Sequence, residues 1–196
     1  MNNKYYLLRH GESFSNTKKI ICSSLKNGLL TRYSLTKTGI LQVQETSKNL
    51  LFYLRTQTLN LKEDTLIISS PFVRTMQTAR IIQSNFHIGD NIIKEDHRLC
   101  ERNFSKYELT SSNNYQTVWD ADTIREVIEG VESPNAVLER LTSFFEEYEA
   151  KYTGKYIVII SHGDTLSIAR SFFDKSDPFL HREKGAIKNA ECIHYD

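Results

Sequence analysis

The chain has 196 residues, 39% apolar and 25% charged, with 25 Lys and Arg against 24 Asp and Glu for a formal net charge of +1. At roughly 150 residues per domain this length suggests one domain, residues 1–196, and the composition excludes a disordered chain, a collagen and a coiled coil. No apolar run reaches the ~18 residues a membrane helix needs, no signal peptide is expected, and near-zero charge argues against nucleic acid or an acidic membrane as main partner.

Tyr5-Tyr6-Leu7-Leu8 is a short apolar run ending at Arg9-His10-Gly11, which predicts a buried strand and a turn. Residues 15–35 are polar and irregular. Over 36–54 the spacing turns helical, with Ile40, Val43, Ser47, Leu50, Leu51 and Leu54 on one face. Thr65-Leu66-Ile67-Ile68-Ser69 predicts a second strand, and Ser70-Pro71 has the chemistry of a helix N-cap and first-turn pair. Val73, Met76, Ala79 and Ile82 carry that helix to about residue 85, and Ile92-Ile93 suggests a short third strand. Residues 103–130 are polar and weakly periodic, a loop-rich cap insertion with room for one helical piece. Ser133-Pro134 caps a helix whose stripe is Val137, Leu138, Leu141, Phe144, Phe145 and Tyr148. Tyr156-Ile157-Val158-Ile159-Ile160 is unbroken and β-branched, as in a central parallel strand covered on both faces. Residues 165–173 read as a helix and 191–195 as a last strand. Strands alternating with helices define an α/β layered sheet, and ligands of such sheets sit beyond the C-terminal strand ends.

Charge is unevenly spread. Residues 1–55 hold nine Lys and Arg against Glu12 and Glu45, a net of +7. Residues 120–149 hold nine Asp and Glu against Arg125 and Arg140, a net of −7. Two solvated faces are the simple expectation for such blocks. Cys22, Cys100 and Cys192 lack metal-site spacing, as expected for reduced thiols in a cytoplasmic protein.

Three strand ends carry unusual residues: Arg9-His10-Gly11, Ser69-Ser70-Pro71 with Arg74 one turn on, and Ser161-His162-Gly163-Asp164. If these strands are parallel neighbours, two histidines and two arginines meet at one sheet edge. Arginine forks suit phosphate oxygens, helix N-termini add amide donors, and Gly11 and Gly163 would let the backbone approach a ligand. Neighbouring cations push both histidines toward the neutral, nucleophilic form. Phosphoryl transfer through a phosphohistidine fits such a cluster better than metal binding, because the cations would repel a metal. A nucleophile also needs a proton donor for the leaving oxygen. Glu101, flanked by Leu99, Cys100 and Phe104, is the best placed, since burial there would raise its pKa. His87, His97, His181 and His194 are read as structural.

Leu7-Leu8-Arg9-His10-Gly11-Glu12-Ser13, with Asn16 beyond, resembles the opening signature of the histidine phosphatase superfamily, the phosphoglycerate mutase-like family. Further segments are similar and fall in the same order: 34–42, Ser69-Ser70-Pro71 through Ala79, Leu99-Cys100-Glu101 through Glu108, Ile159-Ile160-Ser161-His162-Gly163, and Asn189 with Cys192. The resemblance implies a three-layer α/β/α sandwich with a mixed, mostly parallel sheet. It implies that His10 is phosphorylated in turnover and that Arg9, Arg74 and His162 bind the phosphoryl oxygens, with Asn16, Ser13 and Gly163 assisting. Glu101 would be the acid and later the base that activates water, with no metal and no organic cofactor. Ser105, Tyr107 and Leu109 depart from the family, which commonly has Gly, Trp and Gly there. The segments typical of mutases, including paired cap arginines, have no counterpart. The implied activity is hydrolysis of phosphomonoesters, with a phosphoglycerate mutase and a non-catalytic phosphate-binding module as alternatives. Sugar phosphates, nucleotides, small phospho-acids and phosphoproteins remain open as substrates, and the sequence sets no oligomeric state.

Overall fold

A computed structural model describes residues 1–57, 60–89 and 93–196. In chain order the elements are β1 (Lys4–Arg9), α1 (Phe14–Thr17), α2 (Leu25–Gly28), α3 (Lys37–Arg55), α4 (Leu61–Asp64), β2 (Thr65–Ser69), α5 (Val73–Phe86), β3 (Ile93–Glu95), α6 (Asn114–Thr123), α7 (Pro134–Lys151), β4 (Tyr156–Ser161), α8 (Gly163–Asp174) and β5 (Cys192–Tyr195). The expected third strand begins at Ile93; Ile92 lies outside the described residues.

The sheet order is β3-β2-β4-β1-β5. β1, β2, β3 and β4 run parallel, and β5 closes the edge antiparallel to β1. Every residue of β4 is buried, as its unbroken apolar run requires of a central strand. Side-chain alternation builds the layers. Tyr5, Leu7, Ile157 and Ile159 face α7 and α8, where Leu141, Phe144, Phe145 and Leu166 complete one core. Tyr6, Leu8, Val158 and Ile160 face α3 and α5, where Val43, Leu54, Ala79 and Ile82 complete the other. The result is the expected α/β/α sandwich with a mixed, mostly parallel sheet.

Two helix readings need correction. Ile40 is exposed and Gly39 is buried in its place. A Cβ on Gly39 would collide with the Glu12 carbonyl, and one on Gly11 with the Gly39 carbonyl, so α3 closes onto the turn after β1 by glycine contact. Gly11 thus serves this packing rather than ligand approach. Second, Ser70-Pro71 does not cap α5. Phe72 is the N-cap, without a side-chain cap bond, because Ser70 is engaged elsewhere. Ser133 does cap α7, accepting from the Ala136 amide with Pro134 in the first turn.

The segment after β3 has a small core of its own. Phe104, Val118 and Val131 pack with Ile21, and α6 lies over the strand ends. Among the described residues no helix is long and apolar enough to cross a membrane.

Candidate active site

Because β2, β4 and β1 are adjacent and parallel, their C-terminal ends deliver His10, Ser70 and His162 to one edge. Arg74, in the first turn of α5, lies between the histidines. Its Nε donates to His10 Nε2 at 3.0 Å and its Nη2 to His162 Nδ1 at 2.9 Å, and Nη2 also reaches the Cys22 carbonyl at 2.9 Å. A guanidinium only donates, so both histidine atoms are unprotonated acceptors. The other ring nitrogens then carry the protons: His10 Nδ1 donates to Gly11 O at 2.7 Å and His162 Nε2 to Ser70 Oγ at 2.8 Å. Both pKa values lie well below the ordinary histidine range. Burial is the larger cause and Arg74 the next, an ordering the sequence reading had placed on charge alone.

Arg9 is anchored through Nη1 to the Ile187 carbonyl at 2.7 Å, while its Nε is buried without a hydrogen-bond partner. Such unsatisfied donors are uncommon in folded proteins, and Arg9 carries this one at the wall of the cavity described below. A Cβ on Gly163 would sit 3.2 Å from Arg9 Cζ, so this glycine makes room for the guanidinium. Asn16 Oδ1 is tied by Ser13 N at 3.0 Å and Ser13 Oγ at 2.8 Å, which leaves its amide donor toward the cavity. Asn189 Nδ2 holds the His10 carbonyl at 3.2 Å.

Glu101 follows a short turn at His97–Leu99. Its Oε1 accepts from the amides of Arg102 and Thr165, both at 3.1 Å, and from Thr165 Oγ1 at 3.0 Å. Burial, then the Asp164 carboxylate, raises its pKa above the ordinary carboxylate value. Arg102 does not neutralise it. That guanidinium is buried in a bidentate pair with Asp122, at 2.6 and 2.8 Å, and reaches Asp164 at 3.2 Å.

Arg9, His10, Asn16, Arg74, Glu101 and Gly163 line one cavity of about 270 Å³. His162 is fully buried behind Arg74, and Ser13 lies outside the lining, its hydroxyl engaged with Ser15 and Asn16. Several lining residues were missed in the sequence: Ser15, Lys19, Tyr115, Trp119 and Arg182. Trp119, the single tryptophan, was the one available signal in an otherwise polar stretch. Glu108 was missed as a support. Its carboxylate takes bonds from Ser23, Ser24 and Asn27, which outweigh its burial and hold its pKa below the ordinary value. It thereby fixes the loop whose Cys22 carbonyl holds Arg74. Among the described residues, no cluster of three or more His, Cys, Asp and Glu could hold a metal ion.

A sandwich of this topology gathers paired histidines and arginines beyond its strand ends, a cationic cluster suited to an oxyanion such as phosphate. Residues 5–194 match the histidine phosphatase superfamily (branch 1), and the chain belongs to that superfamily. Among solved structures it is similar to the mycobacterial glucosyl-3-phosphoglycerate phosphatase in complex with VO3, with TM-score 0.78, 18% identity and coverage of 97% of this chain and 90% of that one. It is also similar to the phosphoserine phosphatase of Entamoeba histolytica in complex with 3-phosphoglyceric acid, with TM-score 0.75, 20% identity and coverage of 98% and 89%. The YhfR protein of Bacillus stearothermophilus matches with TM-score 0.76, 18% identity and coverage of 98% and 90%. Comparison with curated protein sequences gives no match.

Proposed function

We propose that the chain hydrolyses small phosphomonoesters through a phosphohistidine on His10 Nε2. The observation that carries this reading is the tautomer. With the His10 proton on Nδ1 and bonded to Gly11 O, the Nε2 lone pair faces a cavity walled by Arg9 and Arg74. Arg74 turns its Nε from that lone pair to an arriving phosphoryl oxygen, and the orphan Nε of Arg9 takes another. Nε2 attacks phosphorus as the ester P–O bond breaks. Glu101, whose pKa is raised by burial, gives its proton to the leaving oxygen. The imidazolium formed is steadied by the Gly11 carbonyl. Glu101, now a carboxylate, takes a proton from water, the water oxygen bonds phosphorus, and the N–P bond breaks to release phosphate and neutral His10. The protein contributes position and charge, the two needs of phosphoryl transfer.

Ser105 and Leu109 keep left-handed backbone at φ 45° and 60°, so the departures from glycine leave the path beside Glu101 intact. Glu101 in the cavity favours turnover over a binding-only module. The absent mutase segments favour water as the acceptor. The test is to trap labelled phosphate on the protein from a phosphomonoester, with label lost in His10→Ala. A folded protein that hydrolyses no phosphoester, p-nitrophenyl phosphate included, overturns the reading.

A further inference from the structure

Tyr115 plays no part in the chemistry above, yet it lines the same cavity. Its ring is clamped. Trp119 stacks on it with centroids 5.4 Å and planes 7° apart, and Phe104 meets it edge to face at 4.8 Å. Trp119 is itself pinned, its Nε1 donating to Asp164 Oδ1 at 2.8 Å, and Phe104 is buried. The ring is therefore fixed from two sides, while its hydroxyl makes no hydrogen bond among the described residues. Burial raises the phenol pKa above the ordinary tyrosine value, and the charges that act on it next are those of the cavity, Glu101 before Arg74, Asp164 and Arg9. The group thus stays a neutral O–H set among the charged residues of the site.

A hydroxyl both donates and accepts, and the reaction has one place for such a group. Glu101 Oε1 is taken up by the amides of Arg102 and Thr165, so the proton it delivers is carried by Oε2. The phosphoryl oxygens have donors in Arg9, Arg74 and Asn16, all of which line the cavity. The oxygen that Glu101 serves has no second partner among them. In the first step Glu101 spends its single proton on the leaving oxygen, and in the second its carboxylate only accepts. The attacking water then carries two hydrogens toward one acceptor. A neutral hydroxyl fills both gaps. It donates to the leaving oxygen while negative charge develops there, and it accepts the hydrogen of water that Glu101 does not take. No proton passes through it in either step.

Resting on the phosphatase reading, we propose that Tyr115 is a further catalytic residue, its hydroxyl binding the oxygen that Glu101 serves: the leaving ester oxygen in the first step and the attacking water in the second. The test is Tyr115→Phe, which keeps the ring between Trp119 and Phe104 and removes the hydroxyl alone. Phenyl phosphate and p-nitrophenyl phosphate are compared by rapid quench, following phosphate bound to the protein. A hydrogen bond to a charged group is worth roughly 10- to 100-fold. The variant is expected to form the phosphoprotein slower by about that factor from phenyl phosphate, whose leaving oxygen gathers the more localised charge. From p-nitrophenyl phosphate, whose nitro group draws that charge away, the loss is smaller. Breakdown of the phosphoprotein, common to both esters, slows by roughly 10- to 100-fold, and the fall in kcat/KM at high pH that ionised Glu101 imposes persists. Equal slowing of formation from the two esters overturns the proposal, since that is what a displaced ring would give. So do unchanged rates, breakdown at the native rate, or loss of the fall at high pH, which would mean that the substitution had disabled Glu101 instead. Any of these in a chain whose native form turns over removes the proposal and leaves the phosphatase reading standing. A native chain that neither takes up phosphate nor hydrolyses either ester removes both.

Discussion

Leu109 shows how a single residue can carry strain for a site. Its φ of 60° lies in the left-handed region, where a non-glycine residue costs about 1–2 kcal/mol, and the hydrogen bond from its amide to the Ile21 carbonyl at 2.8 Å keeps it there. The side chain is partly exposed, so its removal forfeits little burial. Leu109→Gly is expected to stabilise the fold by up to about 1 kcal/mol, after the extra unfolded-state entropy of glycine is subtracted. The reading is a higher urea midpoint at unchanged slope; an unchanged or lower midpoint would show that the backbone there is unstrained. Glu101 gives a second test at this scale. Its raised pKa places the protonated acid above the ordinary carboxylate range, while His10 loses its proton well below the ordinary histidine range. With the acid form required for turnover, kcat/KM is expected to fall as pH rises through the Glu101 pKa. Glu101→Gln is expected to lower the rate by roughly 10²- to 10⁴-fold and to abolish that falling limb. Retention of the limb in the variant would assign it to another group. Arg9, His10 and His162 were legible because each ends or follows an apolar strand. Arg182, Trp119 and Tyr115 were not, because they come from segments without periodicity and meet only when α6 folds over the strand ends.

At the scale of elements, sequence reading worked where an apolar stripe decides a face and failed where the site takes a residue for its own use. The stripe of α7, from Val137 to Tyr148, is buried almost as its spacing required. At α5 the serine suited to capping is instead the acceptor for His162, and the helix starts later. The segment 103–130 was the least legible part, since its anchor is ionic. Arg102, after the β3 connection, ties to Asp122 on α6 and Asp164 on α8, all buried. Each charge needs the others, because an unpaired buried ion costs several kcal/mol. Hydrogen bonds and the charges of His181 and Arg102 hold the Asp164 pKa below its ordinary value in spite of burial. Asp122→Asn is expected to cost about 3 kcal/mol in chemical denaturation, whereas replacing Arg102 and Asp122 together by apolar residues should recover most of that loss. A loss under about 1 kcal/mol for the single variant would mean that water reaches Arg102.

Over the whole molecule, the two charge blocks turn out not to be merely solvated faces. The basic block sends Arg9 and Lys19 to the cavity. The acidic block sends Asp122 inside to Arg102, Glu132 to Arg140, and Glu149 to Asn2, Asn3 and Tyr5. The cation excess at the cavity is bearable in the folded state only because His10 and His162 stay neutral, and that condition ties stability to pH. For a histidine whose folded pKa lies below its unfolded value, the unfolded chain binds more protons below about pH 6.5. Its contribution is then complete above that pH and declines as pH falls toward the folded value, by up to about 1.4 kcal/mol per pH unit. Glu101 acts in the opposite sense, its raised pKa favouring the fold as pH falls, so the net slope of the native chain is shallower than two histidines alone would make it. The difference between the native chain and His10→Asn isolates one histidine. Between pH 6.5 and 5 the native chain is expected to lose up to about 1.4 kcal/mol more per pH unit than the variant, read from urea midpoints at each pH. Parallel curves would mean that folded His10 takes up its proton as readily as in the unfolded chain. A histidine protonated in that way has no lone pair on Nε2 to offer phosphorus, so the same titration that measures the fold also decides whether the nucleophile is ready before the substrate arrives.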